Sequence, residues 1–316
     1  MSAPVNPRDL RLRAAWLAHG YGLTQAEIAN RLGVSRATVN RMLEQARALG
    51  EIRIWIDQPE GDLTALAMDV AQAMDIPEVI CVPSSPGAAP HAAIGLALGR
   101  MLSDRIGAGM RIGLGWGRTL THALDSFQPP PRADALVLSL LGGQVRSGRP
   151  NPGALAARMA ASLGCDVMFL PAPLIVDHAD TRARLIAGCG LQALFDLAEQ
   201  LDIAVFGAGD LDASLALSRL DSHAARALRD AGAVGEILAQ IVDADGTSKV
   251  FEINERVMAV GLDHVAQARA RVLACGGTAR APVIRAAHAR IGLSTLVTDE
   301  ATAHDLLNTR MEEEED

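Results

Sequence analysis

The chain has 316 residues, of which 49% are hydrophobic, and this is enough apolar material for about two domains with buried cores. Its net charge of −8 argues against a protein that coats nucleic acid without regard to sequence. No apolar run reaches the roughly 20 residues that a membrane helix needs, and the first residues do not resemble a signal peptide. We therefore expect a cytoplasmic protein with no membrane partner.

The cysteines and the single lysine exclude several kinds of chemistry. None of the four cysteines forms a C-x-x-C pair or lies at ligand spacing from a histidine, so we expect no metal, no cofactor and no disulfide. Lys249 is the only lysine, which disfavours a mechanism that forms a Schiff base with a substrate.

The charge is unevenly distributed along the chain. Residues 1–57 contain eight arginines and five carboxylates, a surplus of three positive charges, whereas the rest of the chain carries a net −11. A small basic module attached to an acidic body is the pattern expected when only one end of a protein contacts DNA. We predict a DNA-binding domain over residues 1–57 and an effector-binding and oligomerisation domain over residues 58–316.

The segment LTQAEIANRLGVSRATVNRML, residues 23–43, has the pattern of two short helices joined by a sharp turn. Thr24 and Glu27 are spaced as a capping box that opens the first helix. Gly33 lies where the chain must turn, and Ser35 can cap the second helix. This arrangement predicts a helix-turn-helix whose second helix enters the major groove.

The outward side chains of this module are the candidate DNA contacts. Arginine pairs well with guanine and asparagine with adenine, and a residue at the start of the first helix can reach a phosphate. The candidates are Gln25, Ser35, Arg36, Ala37, Thr38, Asn40 and Arg41. The alternative is a small helical hairpin with no role in DNA binding.

The flanks of this module also carry patterns. Arg11 to His19 is predicted as a supporting helix with Leu12, Ala15 and Trp16 facing inward. Ile52 to Ile56 alternates like a short strand and could form a wing, from which Arg53 could contact phosphate.

A linker and an apolar helix precede the large domain. Gln58 to Gly61 breaks the apolar pattern and is predicted as the linker. Leu63 to Met74 is predicted as a helix with one apolar face, which packs on its own domain or on another subunit.

The rest of the chain alternates between short apolar runs and longer amphipathic segments, which predicts a doubly wound α/β domain. The predicted strands are 78–82, 110–113, 135–140, 167–170, 203–206, 271–274 and 295–298. The predicted helices are 91–105, 117–126, 152–163, 182–200, 279–289 and 299–307. A hairpin of strands 237–242 and 250–253, turning at Asp245-Gly246, is expected to interrupt this alternation.

Glycine-bearing loops follow four of the predicted strands. Ligands of open α/β sheets bind at the carboxyl ends of the strands, where glycines let backbone N–H groups approach an anion. The four loops begin at Gly113, Gly142, Gly207 and Gly276, and together they predict a pocket for a polar, anionic ligand. The first loop lacks the Gly-Lys-Ser/Thr ending of a Walker A motif, which disfavours a nucleotide.

The chain resembles the SorC family of bacterial sugar-responsive regulators from Leu10 to Leu307. The motifs that carry the resemblance are the helix-turn-helix segment, IGLGWGRTL, FGAGDL, GAVGEILAQIVDADG, ACGGTARAPVIRAA and LVTDEATAHDLL. The resemblance implies a body similar to the glucosamine-6-phosphate deaminase and ribose-5-phosphate isomerase fold. It also implies a homo-oligomer, usually a tetramer, that binds operator DNA and a sugar, polyol or phosphosugar effector.

The resemblance also suggests which residues hold the effector. The loop at Gly115 and Gly117 resembles the phosphate-cradling loop of the family, although Arg118 replaces a hydroxyl residue. Arg280 stands where relatives often have lysine, so it can grip an anion but cannot form an imine. The candidate effector residues are Gly115, Gly117, Arg118, Thr119, Gly142, Gly143, Asp210, Glu236 and Arg280. Asp210 could instead cap a helix, and Glu236 could lie on a solvated face.

A sugar-phosphate isomerase or deaminase with an appended DNA module is the alternative function. Such chemistry needs a positioned acid and base. Asp210 and Glu236 are available, but no histidine or lysine clearly joins them. We therefore expect a regulator without catalytic residues.

Overall fold

The computed structural model describes residues 7–49, 51, 60–84, 87, 89–144, 151–211, 222–248 and 251–315. The chain divides into two compact units, Met1–Pro59 and Glu60–Asp316. This division falls two residues beyond the expected boundary at 57. The assignment of DNA binding to one unit and effector binding to the other stays a prediction.

The small unit contains three helices, α1 (Pro7–His19), α2 (Gln25–Leu32) and α3 (Arg36–Ala48). Its core is built mainly from small residues, which let the helices cross closely. The buried residues are Ala14, Ala15, Ile28, Ala29, Val39, Leu43 and Ala46. The helix-turn-helix prediction is confirmed, and Gly33 adopts the left-handed φ of +68° that the turn requires.

The predicted inner face of α1 is wrong in two of its three residues. Leu12 is 37% exposed and Trp16 is 66% exposed, whereas Ala14 is fully buried. Trp16 lies about 200° around the helix from Ala14, so both cannot face the core. The narrow gap between α1 and its neighbours accepts alanine, not the bulkier indole.

The first helix of the large unit begins at Glu60, before the predicted start at Leu63. The proposed wing strand, Ile52 to Ile56, and its Arg53 lie outside the described residues. Helix α4 (Glu60–Met74) already includes Glu60 and Gly61, which were assigned to the linker. Val70 and Leu66 of α4 are buried in the core of the large unit, so this helix packs on its own domain.

The large unit contains a seven-stranded sheet and a three-stranded sheet. The strands are β1 (Glu78–Val82), β2 (Arg111–Leu114), β3 (Leu136–Ser139), β4 (Asp166–Met168), β5 (Ile203–Phe206), β6 (Ala208–Gly209), β7 (Ala233–Ile237), β8 (Gln240–Asp243), β9 (Ala270–Ala274) and β10 (Thr295–Asp299). The helices after α4 are α5 (His91–Arg105), α6 (Arg118–Ser126), α7 (Pro152–Leu163), α8 (Ala179–Gly188), α9 (Gln192–Ala198), α10 (Ser222–Asp230), α11 (Leu262–Gln267), α12 (Ala281–Ile291) and α13 (Glu300–Glu315).

The large sheet is parallel throughout and has the order β1-β10-β9-β5-β2-β3-β4. Apolar clusters pack on it, as expected for a sheet covered by helices. The predicted α/β fold class is confirmed. From β2 the chain proceeds outward to β3 and β4, but from β5 it proceeds the other way to β9 and β10. The crevice between β2 and β5 is therefore the topological switch point, where ligands bind in such folds.

The predicted helix 182–200 is wrong as a single element. It is two helices, α8 and α9, which are separated at Cys189 and Gly190. Gly190 has a φ of +74°, a left-handed conformation that ends a helix.

The predicted hairpin is also displaced. The real hairpin joins β7 to β8 through Leu238 and Ala239, which have φ values of +49° and +61°. The Asp245-Gly246 turn follows β8, and residues 252–256 form a 3-10 helix, not a strand. Two non-glycine residues thus take the turn conformation that Asp-Gly usually marks.

Candidate functional site

A cavity opens at the switch point. Its volume of about 260 Å³ is small for a ligand pocket. Its walls come from the loops after β2, β3, β5 and β9 together with the β7–β8 hairpin and the start of α5. The lining residues are His91, Trp116, Gly117, Arg118, Thr119, Leu120, Leu141, Gly207, Ala208, Gly209, Glu236, Leu238, Ala239, Ala274, Cys275, Gly276 and Arg280.

The loop after β2 contributes the start of α6 to one wall. Gly117 precedes this helix with a φ of +151°, and Arg118 begins the helix with an exposed side chain. Thr119 is buried, and its hydroxyl lies 3.2 Å from His91 Nδ1. The first N–H groups of a helix favour negative charge, so this wall suits an anionic or hydroxyl oxygen.

The β7–β8 hairpin places a carboxylate in the pocket. Gly209 of β6 pairs with Glu236 of β7, so the short strand after β5 fixes where Glu236 points. Glu236 is 5% exposed, and Leu238 and Ala239 from the hairpin turn line the same pocket. A buried carboxylate can accept hydrogen bonds from the hydroxyl groups of a ligand.

The loop after β9 contributes a cation that already has partners. The Arg280 Nε atom lies 2.6 Å from the Asp210 carboxylate, and Arg280 Nη1 donates to the carbonyl of Ala208 at 2.8 Å. The Arg280 and Asp210 side chains are 12% and 22% exposed. Asp210 does not line the pocket itself, but it orients the guanidinium group that does.

Cys275, at the end of β9, lines the pocket beside this ion pair. Its thiol is buried and donates to the carbonyl of Ala208 at 3.4 Å. Burial raises the pKa of the Cys275 thiol to about 11, so it is protonated at neutral pH.

Five of the nine predicted effector residues line this pocket: Gly117, Arg118, Thr119, Glu236 and Arg280. Gly115 lies beneath the hairpin, where an added Cβ would be 3.0 Å from Leu238. Gly142 and Gly143 follow the lining residue Leu141 but do not line the cavity, and their N–H groups donate to the carbonyls of Met258 and Ala172. Effector binding by all nine residues stays a prediction.

Sequence reasoning missed His91, Leu238 and Ala239. His91 begins a helix that was predicted correctly, and its place after a strand was the signal that could have identified it. The two hairpin residues were missed because the turn was placed at Asp245-Gly246.

The caps predicted for the small unit are present. Thr24 and Glu27 form the capping box, with Thr24 N–H donating to the Glu27 carboxylate at 2.7 Å. The hydrogen bond from the Thr24 hydroxyl is the main cause that lowers the pKa of Glu27. Ser35 caps α3 by accepting from Thr38 N–H at 3.1 Å, so its hydroxyl also stabilises the helix.

Gln25 and Asn40, two predicted DNA contacts, are hydrogen-bonded to each other. Gln25 Nε2 donates to Asn40 Oδ1 at 3.0 Å, and Asn40 Nδ2 donates to Glu44 at 2.9 Å. Arg36, Ala37 and Arg41 are exposed on α3, while Val39 and Leu43 face the core. The predicted contacts thus share the outer face of α3 and the start of α2, and their binding to DNA stays a prediction.

The described ranges hold neither a membrane-spanning helix nor a cluster of metal-ligating side chains. None of the helices there is both long enough and apolar enough to cross a bilayer. Within the same residues, no three His, Cys, Asp or Glu side chains come together as a metal site.

Two family models match the chain. Residues 59–308 match the Sugar-bind family, a sugar-binding domain. Residues 13–49 match the family Sigma-70, region 4, and this range covers the helix-turn-helix.

Whole-length relatives are transcriptional regulators. The chain is 30% identical over 310 residues to the erythritol catabolism regulatory protein EryD of Brucella abortus, covering 95% of this chain and 96% of that protein. It is 28% identical to the transcriptional regulator LsrR of Klebsiella pneumoniae, with 95% and 93% covered. It is 26% identical to the deoxyribonucleoside regulator of Bacillus subtilis, with 95% and 98% covered.

A solved structure has the same fold over nearly the whole chain. The full-length sorbitol operon regulator SorC of Klebsiella pneumoniae superimposes with a TM-score of 0.74 at 22% identity, covering 96% of this chain and 100% of that one. The chain therefore belongs to the SorC family: it is a DNA-binding transcriptional regulator with an N-terminal helix-turn-helix and a sugar-binding domain.

Proposed function

We propose that the pocket at the switch point binds a small sugar, polyol or phosphosugar effector, and that this binding controls the operator affinity of α3. The observation that carries the proposal is that a buried acceptor, Glu236, and a partly buried donor, Arg280, line the same small cavity. Alternating acceptors and donors match the hydroxyl groups of a polyol or a sugar.

The nine candidate residues are proposed to divide into two groups. Glu236, Arg280, Thr119 and Arg118 contact the effector, with Gly117 allowing close approach. Gly115, Gly142, Gly143 and Asp210 act behind the wall: Gly115 packs beneath the hairpin, Asp210 holds Arg280, and the two other glycines follow the lining residue Leu141.

The DNA contacts are proposed on the exposed face of α3. Arg36 and Arg41 reach base edges or phosphates, Ala37 contacts a thymine methyl group, and Asn40 reads a base when it exchanges its bond to Gln25. Gln25 contacts a phosphate, and Ser35 and Thr38 present the start of the helix.

We further propose a cytoplasmic homo-oligomer, a tetramer, that releases its operator when the effector binds. A symmetric oligomer fits the two-fold symmetry of typical operators. The relatives named for erythritol and deoxyribonucleosides support a small polyhydroxylated effector.

Catalysis is not part of the proposal. His91 joins Glu236 among the lining residues, which the sequence did not indicate, but the whole-length relatives are regulators. Among the described lining residues no lysine could form an imine with a sugar aldehyde.

A thermal-shift screen tests the proposal. The panel is erythritol, glucitol, ribose, ribose phosphate and glucose phosphate, each added in excess to the full chain. A compound that binds only the folded state at 100 times its Kd adds about 2.7 kcal/mol to the free energy of unfolding. At least one compound should raise the Tm, and the same compound should change operator affinity. If no compound does so, the proposed effector class is wrong.

A further inference from the structure

The motif VTDEATA at the end of β10 surrounds a buried carboxylate that does not line the pocket. Asp299 is 3% exposed. Its Oδ1 atom accepts the Gly277 N–H at 2.9 Å and the Thr302 hydroxyl at 2.6 Å, and its Oδ2 atom accepts the Ser84 hydroxyl at 2.9 Å. Burying a carboxylate is costly unless its oxygens are hydrogen-bonded, as they are here.

The backbone N–H of Gly277 has a second acceptor besides Asp299. Its N–H also donates to the Thr302 hydroxyl oxygen at 2.7 Å, and Thr302 is fully buried. The loop after β9 passes so close to Asp299 that a Cβ added at Gly276 would lie 2.2 Å from the Asp299 carboxylate. Gly277 itself has a φ of +104°, which favours glycine.

The same turn leads directly to the pocket cation. The Gly277 carbonyl accepts the Arg280 N–H at 2.9 Å, which closes the short 3-10 helix over residues 278–280. The position of Gly277 therefore sets where Arg280 leaves the backbone and how it meets Asp210.

Ser84 connects the end of β1 to the hydrogen bonds around Asp299. Its hydroxyl accepts the Ala301 N–H at 2.9 Å, and its own N–H donates to Glu300 at 3.3 Å. The loop after β9 thus rests on a network that is fixed to the ends of β1 and β10.

We propose that Asp299 and Thr302 are positioning residues of the effector pocket: they hold the Gly276–Gly277 turn so that Arg280 is presented to the effector. This inference rests on the proposed function. It assigns a role to a motif whose residues do not touch the cavity.

Thr302→Val is the test variant, and Thr298→Val is its matched control. Both threonines are fully buried, and both changes replace a hydroxyl with a methyl group of similar size. The Thr298 hydroxyl has no hydrogen-bond partner among the described residues, whereas the Thr302 hydroxyl bonds to Gly277 and Asp299. Only Thr302→Val should therefore loosen the turn.

Two measurements on the full chain report on the turn without any ligand. The first is hydrogen exchange of the Gly277 amide, and the second is the rate at which iodoacetamide alkylates Cys275, located by mass spectrometry. Loss of one hydrogen bond should speed both in Thr302→Val by roughly threefold to tenfold. Thr298→Val should behave as wild type. Asp299→Ala should exceed Thr302→Val, and Asp299→Asn should fall between wild type and Asp299→Ala.

Equal rates in Thr302→Val and Thr298→Val would overturn the positioning role. The thermal-shift panel is then repeated on both variants: a compound that stabilises the wild type should stabilise Thr302→Val less and Thr298→Val equally. An unchanged shift in Thr302→Val would also overturn it. If no compound of the panel stabilises the wild type, the proposed effector class is wrong. The exchange and alkylation rates need no ligand, so they test the positioning role in that case too.

Discussion

Arg280 leaves the loop after β9 with its guanidinium between the Asp210 carboxylate and the pocket. A planar guanidinium has five donors, so it can hold Asp210 and Ala208 and still offer donors to a ligand. The sequence showed that this position is an arginine, but not that an acid neutralises it. That pairing depends on the loop after β5, which lies about 70 residues away along the chain.

Replacing Arg280 with alanine removes the pocket cation and leaves Asp210 without this partner. We expect Arg280→Ala to weaken binding of the best compound of the panel by about 10- to 100-fold, the range of one charge-assisted hydrogen bond. Isothermal titration calorimetry measures this change. Arg269→Ala is the control, because Arg269 is 86% exposed and pairs with Asp202 away from the pocket. Equal affinity in the two variants would remove Arg280 from the site.

Arg41 belongs to the exposed face of α3 that is predicted to enter the major groove. Arg41→Ala should lower the affinity for a duplex selected by the wild-type protein by about 1–3 kcal/mol, the contribution of one base contact. Fluorescence anisotropy measures the Kd. Arg47→Ala is the control, since Arg47 lies in the last turn of the same helix. A larger loss for Arg47 than for Arg41 would mean that the reading face is misassigned.

At the scale of elements, the caps and helix boundaries of the small unit follow from local rules. Thr24, Glu27, Gly33 and Ser35 act where their spacing predicted. Local rules did not predict the inward face of α1, because the alanines of α1 pack in the core of the small unit and Trp16 does not. Local capping depends on residues a few positions apart, whereas helix orientation depends on distant partners.

Removing the capping hydroxyl should destabilise α2. Thr24→Ala should reduce the free energy of local unfolding by about 1 kcal/mol, measured by hydrogen exchange of the α2 amides, while Thr24→Ser should retain most of it. The pKa of Glu27 is lowered in the folded state, so its contribution is present above its ordinary pKa of 4.5 and is lost as the pH falls through the lowered value. The difference between the variants should therefore shrink below about pH 4.5. A difference that grows as the pH falls would contradict the capping box.

The β7–β8 hairpin shows where prediction of the site failed. The Asp245-Gly246 signal is a genuine turn, and Gly246 has a φ of +76°, but it lies after the hairpin. Leu238 and Ala239 form the hairpin turn because their positions are fixed by burial against the sheet. No local rule identifies these residues, so the glycine-bearing loops of the pocket wall could be predicted and the hairpin turn could not.

Gly235 permits the close approach of the hairpin to β6. An added Cβ would lie 2.5 Å from the carbonyl of Gly209 and 2.5 Å from Val283, so Gly235→Ala should push β7 away and displace Glu236. We expect a Tm loss of several degrees, from about 1–3 kcal/mol of overpacking, and weaker binding of the panel compound. Gly188→Ala is the control, because a Cβ there meets open space. Unchanged binding in Gly235→Ala would separate the hairpin from the site.

At the scale of the whole molecule, the parallel sheet was predictable, because alternating strands and helices leave few topologies, whereas the position of the switch point depends on the strand order. The fold brings loops from β2, β5 and β9 to one crevice, and five of the nine proposed effector residues meet there. Gly142 and Gly143 follow β3, whose loop contributes Leu141 to the pocket, but they are not lining residues and their N–H groups donate to the carbonyls of Met258 and Ala172. Glycines at strand ends therefore mark loops, and tertiary contacts decide which residues of those loops line the pocket.

We propose that effector binding and operator binding are linked, so that each changes the affinity for the other. A ligand shifts the operator equilibrium only by its different affinity for the two states, and typical coupling changes affinity by about 5- to 150-fold. The direct measurement is the Kd of the full chain for its selected duplex, with and without a saturating panel compound, in wild type and in Arg280→Ala. The compound should weaken DNA binding of the wild type within that range and change that of Arg280→Ala far less. A compound that binds the wild type tightly and leaves its Kd for DNA unchanged would refute the proposed linkage.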